Sequence, residues 1–123
     1  MEFEVVSKKV IGCAIEVHRH LGPGLLESSY QKCLCHELEL QGVSFVAEAA
    51  MPIEYKGKPI DCGYRIDLFV DQKLIVELKS VKAVEPIHEA QLLTYMKLSG
   101  APTGLLLNFN VLRLKDGIKR MVL

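Results

Sequence analysis

The chain has 123 residues, about the size of one domain, and half of them are hydrophobic, enough for one core. Fifteen Lys and Arg balance fifteen Asp and Glu, so no overall charge draws the chain toward nucleic acid or an anionic membrane. No stretch reaches the ~18 consecutive apolar residues of a membrane span, and the acidic start Met1-Glu2-Phe3-Glu4 lacks the basic region and apolar run of a secretory signal. A single cytoplasmic domain over residues 1–123, with no membrane partner, is therefore expected. The four cysteines stand at 13, 33, 35 and 62. Cys33-x-Cys35 lacks the two-residue gap of a zinc knuckle, so free and mostly buried thiols are expected.

In chain order, a helix is predicted from about Val5 to His20, because Val6, Val10, Cys13, Ala14, Val17 and Leu21 fall on one helical face. Gly22-Pro23-Gly24 breaks it. A second helix runs from about Leu26 to Gln41 with the stripe Leu26, Tyr30, Cys33, Leu34, Leu38, and Gly42 stands where a helix-ending glycine should. Three strands follow. The first covers about Phe45 to Tyr55, with an irregularity at Met51-Pro52 because proline cannot donate to a ladder. After a turn at Lys56-Gly57-Lys58-Pro59, the second covers about Ile60 to Val70, and the third Leu74 to Lys79. Glu85-Pro86 opens a third helix that ends at Ser99-Gly100. Gly104 to Phe109 reads as a buried strand, and Lys115-Asp116-Gly117 turns the chain into a last strand, Ile118 to Leu123. The order is α-α-β-β-β-α-β-β, an α/β fold with a mixed sheet.

The central hairpin brings chemistry with it. In the second strand Tyr64, Ile66, Leu68 and Val70 share one face, and Arg65, Asp67 and Phe69 the other. In the third, Leu74, Val76 and Leu78 alternate with Ile75, Glu77 and Lys79. The apolar sets must lie on one side of the sheet, since a slip of one residue would put one of them in water. Val70 must then face Leu74 across a three-residue loop, Asp71-Gln72-Lys73, or a shorter loop with a bulge. This register sets Asp67 opposite Glu77, where Cβ atoms lie ~4.5–5.5 Å apart, with Lys79 two residues on. Like charges so close repel. A hard divalent cation such as Mg²⁺ or Mn²⁺ removes that cost, and Lys79 could reach its water or a phosphate. The bland alternative is a solvated charged face with an ordinary Glu–Lys ion pair.

Other residues stand out. Glu27 lies on the stripe of the second helix, either as a first-turn acid stabilised by the helix dipole or as a third acidic ligand. Gln91 and Tyr95 project together at i, i+4. They read either as a core tyrosine beside a surface glutamine or as a polar pair that orients a nucleic-acid backbone or the lysine. His18 and His20 suit a helix C-terminus; His18, on the inner side, is a further candidate metal ligand. His36 and His88 read as surface residues.

With these residues in place, the chain resembles the GxxExxY family of small bacterial and archaeal proteins. Gly24-Leu25-Leu26-Glu27-Ser28-Ser29-Tyr30 carries the signature. The likeness continues through Tyr64-Arg65-Ile66-Asp67-Leu68, Val76-Glu77-Leu78-Lys79, Glu89 to Tyr95, Gly104 to Phe109, and Gly117-Ile118-Lys119-Arg120. That family looks like a branch of the PD-(D/E)xK phosphodiesterase superfamily. The resemblance implies a restriction-endonuclease-like αβββαβ core with an extra N-terminal helix, and a nuclease that hydrolyses DNA or RNA backbone. It also implies that Asp67, Glu77 and the Leu78 carbonyl hold Mg²⁺ or Mn²⁺, that Lys79 is the lysine of the motif, and that Glu27 is the acid of the first core helix. Gln91 and Tyr95 match a QxxxY helix that positions substrate. Ile66 stands where the superfamily often has proline. Folds of this kind often work as dimers or inside larger proteins, so a homodimer or a partner subunit is implied as well. The alternative is a nuclease-like module that binds nucleic acid or a protein without catalysis.

Overall fold

The first apolar stripe forms α1, Phe3–Leu21, in the computed structural model, which describes residues 3–123; Met1 and Glu2 of the acidic start lie outside them. Val6, Val10, Cys13, Ala14 and Val17 are buried, whereas Leu21 at the helix end is exposed. Gly22, at φ +69°, turns the chain, and its N–H donates to the His18 carbonyl. The second helix, α2, spans Glu27–Leu40 and buries a narrower seam than its stripe suggested. Tyr30, Leu34 and Leu38, four residues apart, face the core, while Leu26 and Cys33 face solvent. Cys62 is exposed too; all four thiols are free, but only Cys13 is fully buried.

Met51-Pro52 divides the first expected strand. Its first part is β1, Phe45–Ala50; its second is β2, Ile53–Tyr55, which turns at Lys56-Gly57 and pairs with β3, Lys58–Ile60, as a separate two-stranded ribbon. The second expected strand is divided with it, and its sheet-forming part is β4, Arg65–Val70. Pro52 offers no N–H, so the β1 ladder does not continue through it, whereas Pro59 is accommodated within the two-stranded ribbon, opposite Glu54. β5 is Leu74–Lys79, α3 is Pro86–Ser99 and β6 is Thr103–Asn108; a 3₁₀ turn at Leu114–Gly117 leads into β7, Ile118–Val122.

The main sheet has the order β1-β4-β5-β6-β7, parallel only between β5 and β6, which α3 connects. One apolar cluster joins α1 and α2 to Leu68, Val70, Val76, Leu105 and Leu107; a second joins α3 to Ile66, Ile75 and Leu106. Helices thus cover both faces of the sheet, and its inner strands β5 and β6 are buried on both sides, hence their near-continuous apolar sequence. Glu85 caps α3 reciprocally with His88, whose Nδ1 accepts from the Glu85 N–H at 3.0 Å, and Gly100 ends the helix at φ +76°.

The hairpin has the expected register: Val70 pairs with Leu74, Phe69 with Ile75 and Leu68 with Val76, around the loop Asp71-Gln72-Lys73. One side chain departs from alternation. Ile66 does not share the side of Leu68 and Val70 but packs beneath α3 with Ile75 and Leu106. The break in alternation coincides with the end of the β4–β5 ladder at Leu68 and with Glu48 of β1, opposite Asp67, at φ +52°. Among the described residues no helix is long and apolar enough to cross a membrane.

Candidate active site

The β4–β5 ladder stops at Leu68–Val76, one residue short of Asp67 and Glu77. Beyond it the strands fork, and two backbone amides lose their ladder partners. Buried N–H groups must find acceptors, and here the acids supply them. The Asp67 N–H donates to Glu77 Oε2 at 2.9 Å, and the Leu78 N–H donates to Asp67 Oδ2 at 2.8 Å. Each carboxyl is thus held by backbone of the opposite strand, and the two carboxyls hydrogen-bond one another.

Glu77 is 7% exposed. Burial above all, then the charge of Asp67, pushes its pKa up to about 8, against the pull of the Asp67 N–H and the Lys79 ammonium. Burial raises Asp67 as well, opposed first by the Leu78 N–H. Two acids in one fork cannot both ionise cheaply, so the pair keeps a proton between them at neutral pH. Lys79 is half-buried, and its charge favours the ionised form of both.

Tyr95 completes one wall. It is buried in one cluster with Ile66 and Ile75, and its phenol pKa is raised first by burial and then by the charge of Glu77, with a smaller contribution from Asp67. Gln91 Nε2 donates to that hydroxyl at 3.1 Å. The i, i+4 spacing therefore delivers the pair to the fork.

Glu27 stands at the edge. It begins α2 and is exposed, and its Oε2 accepts the Ser80 N–H at 3.3 Å while Ser80 Oγ donates to the Leu25 carbonyl at 2.7 Å. The helix start is thus tied to the residue after Lys79. Among the described residues no three His, Cys, Asp or Glu side chains converge at ligand spacing, so Glu27 is not drawn into one cluster with Asp67 and Glu77. His18 lies elsewhere. Its Nε2 donates to the Val111 carbonyl at 2.8 Å and its ring tilts against Phe109, so the expectation of a metal ligand gives way to a tie between α1 and the 109–113 segment.

Several residues of the site went unread in the sequence. Glu48 sits across β1 from Asp67, between the pairs Ala47–Leu68 and Ala49–Ile66, and its charge raises Asp67 further. Its φ of +52° is uncommon for a residue with a side chain. Gln31 Nε2 donates both to Glu48 Oε1 at 3.2 Å and to the Asp67 carbonyl at 3.3 Å. Asn108 staples the segment after β5: its Oδ1 accepts the Val81 N–H at 3.1 Å and its Nδ2 donates to the Val81 carbonyl at 3.0 Å. The available signals were an acid amid the small apolar residues of β1 and an amide closing the run Leu105-Leu106-Leu107. Tyr30 proves structural. Its ring stacks on Phe109 at 4.4 Å, and its hydroxyl donates to the Gly22 carbonyl at 2.6 Å and accepts the Leu25 N–H at 3.1 Å, fixing the loop that presents Glu27.

The donors at the fork are carboxylate and carbonyl oxygens, with an ammonium beside them, a set suited to a hard divalent cation. The chain has no significant match among curated proteins or among solved structures. The family model of the PD-(D/E)XK nuclease superfamily, however, matches residues 4–121. That match spans both helical layers, the forked hairpin and its acids, and so the chain belongs to the PD-(D/E)XK nuclease superfamily.

Proposed function

We propose that the chain is a metal-dependent phosphodiesterase that hydrolyses DNA or RNA backbone, in the GxxExxY branch of its superfamily. One observation carries this reading: the Asp67 carboxyl and the buried Glu77 carboxyl are held together in a strand fork by backbone amides of opposite strands, beside a lysine, where a hard dication can offset their repulsion. Nucleases of this superfamily generally use divalent metals. Asp67, Glu77 and the Leu78 carbonyl would hold Mg²⁺ or Mn²⁺, and Glu27, tied to Ser80 at the rim, would serve a second ion. The carbonyl of Leu78 suits the role because N–H and C=O of one residue in a strand point the same way, and this N–H points into the fork. The ion, when bound, supplies an acidified water and positive charge for the reaction at phosphorus.

The chain's own groups do the rest. The backbone amides of Asp67 and Leu78 hold the acids in place before substrate arrives. Lys79 neutralises charge that develops on the phosphoryl oxygens. Gln91 and Tyr95, bonded to each other beside Glu77, position the strand to be cut. No motif of the sequence reads base edges, so cleavage independent of sequence is expected. A homodimer or a partner subunit would add the surface needed to grip a longer substrate; light scattering after size exclusion tests this.

A cleavage panel of single- and double-stranded DNA and RNA with Mg²⁺ or Mn²⁺ tests the activity. Cleavage by the wild type that is lost in both Asp67→Ala and Lys79→Ala is the expected result. Cleavage indifferent to both substitutions, or no cleavage of any substrate, refutes it. Calorimetric titration with Mn²⁺ gives a second readout, with binding abolished by Glu77→Ala.

A further inference from the structure

Beside the fork, α3 and the start of β4 enclose an open groove of about 230 Å³. Ile53, Tyr64, Ile87 and Leu98 line it, with Gln91 and Tyr95 at its inner wall. Tyr64 is 43% exposed and its ring tilts against Tyr95, with centroids 6.3 Å apart. Ile87, 67% exposed, and Leu98, 41% exposed, give the groove an apolar lining left open among the described residues. Tyr95 packs in one apolar cluster with Ile66, the neighbour of Asp67, and with Ile75, so the groove lies next to the fork.

The β2–β3 ribbon leads outward from this groove. It starts at Ile53, and Tyr55, Lys56 and Lys58 on it are exposed, with the Lys56 ammonium 5.4 Å from the Tyr55 ring centroid. Arg65, next to Tyr64, is exposed as well, in a solvent-facing ion pair with Asp61 at 3.6 Å that a phosphate can displace. Aromatic faces interleaved with cations are what a flexible polyanion with free bases requires, since stacking tolerates any base and the cations follow the backbone. A duplex keeps its base faces covered and cannot offer one to the groove.

We propose that the groove receives an unpaired nucleobase of the substrate strand, stacked on Tyr64, and that the chain therefore acts on single-stranded nucleic acid or on unpaired ends. This rests on the hydrolase reading for the position of the scissile phosphate at Asp67, Glu77 and Lys79. The base contact itself depends only on Tyr64, Ile87 and their neighbours. The Tyr55–Lys58 arm extends the track along the same strand.

Fluorescence anisotropy in EDTA, with labelled dT12, rU12 and a blunt 12-base-pair DNA duplex, separates the possibilities. The dT12 and rU12 arms tell DNA from RNA. Single strands are expected to bind more tightly than duplex. Tyr64→Ala should weaken single-strand binding by roughly 5- to 150-fold, the range of one lost base stack, while Tyr64→Phe stays within about twofold of wild type on the same scale. Ile87→Ala, at an exposed helix position, should weaken it a few-fold and serves if Tyr64→Ala does not fold. Equal binding by all variants, equal Tyr64 dependence for duplex, or no nucleic-acid binding at all overturns the proposal; the last would leave the groove to an apolar peptide. Cleavage in Mn²⁺ is read in parallel. A wild type that cuts nothing yet binds dT12 through Tyr64 removes the hydrolase reading and keeps this one. A wild type that cuts, with Kd and KM unchanged in Tyr64→Ala and Ile87→Ala, does the reverse.

Discussion

Replacing Glu77 by Gln should make the metal-free protein more stable at neutral pH while removing a ligand of the proposed metal site. The folded Glu77 titrates at about 8, against 4.5 for the model carboxyl. The folded state therefore holds a proton that the unfolded state gives up, and stability falls as pH rises from about 4.5 toward 8. Each pH unit in that window costs about 1.4 kcal/mol, so about 3 kcal/mol is lost by pH 7. Against the ~5–15 kcal/mol of a typical domain that is a large share. Glutamine reproduces the protonated acid: its carbonyl can accept the Asp67 N–H while its amide donates to the Asp67 carboxyl, and it carries no charge to ionise. With a urea slope of roughly 1–3 kcal/mol per molar, the wild-type midpoint in EDTA should fall by roughly 1–3 M between pH 4.5 and 7, and that of Glu77→Gln should change much less. Saturating Mn²⁺ at pH 8 should raise the wild-type midpoint and leave the variant unmoved. Parallel pH curves for the two proteins would refute the buried, proton-sharing pair.

Three further substitutions probe the other parts. Lys79→Ala should lower kcat by about 100-fold, the size of one lost charge-stabilising group, with Mn²⁺ affinity measured by calorimetry changed far less. Tyr30→Phe leaves the Gly22 carbonyl and Leu25 N–H short of a partner and should cost about 1–3 kcal/mol in urea unfolding, with the α2 start loosened. Gly104→Ala places a Cβ 2.7 Å from Met96 Sδ and 2.8 Å from Leu92 Cδ1. It should push α3 off β6 and cost about 1–3 kcal/mol in thermal or urea unfolding.

The residue pattern alone determined the helices, the hairpin register and the nearness of Asp67 to Glu77. Periodicity of 3.6 marks the α1 face, and a slip of one residue in the hairpin would expose Leu68 and Val76 to water, so local apolar order carries this information. The pattern also marked Gln91 and Tyr95 as a pair, because i, i+4 geometry is local to a helix. It did not show that the break at Met51-Pro52 sets a ribbon apart, since whether a strand continues past a proline depends on which neighbours need its N–H. It did not show that Cys33 and Leu26 face water, which depends on how much of α2 the sheet and α1 can cover. The fork itself was decided only in three dimensions. Alternation casts Asp67 and Glu77 as rungs of a ladder, but each carboxyl takes the other strand's amide, the ladder ends short of them, and Ile66 packs under α3. Gln31, Glu48 and Asn108 reach the site from segments far apart in the chain, and spacing along a sequence carries no record of such meetings; packing of α2, β1 and β6 around the hairpin creates them.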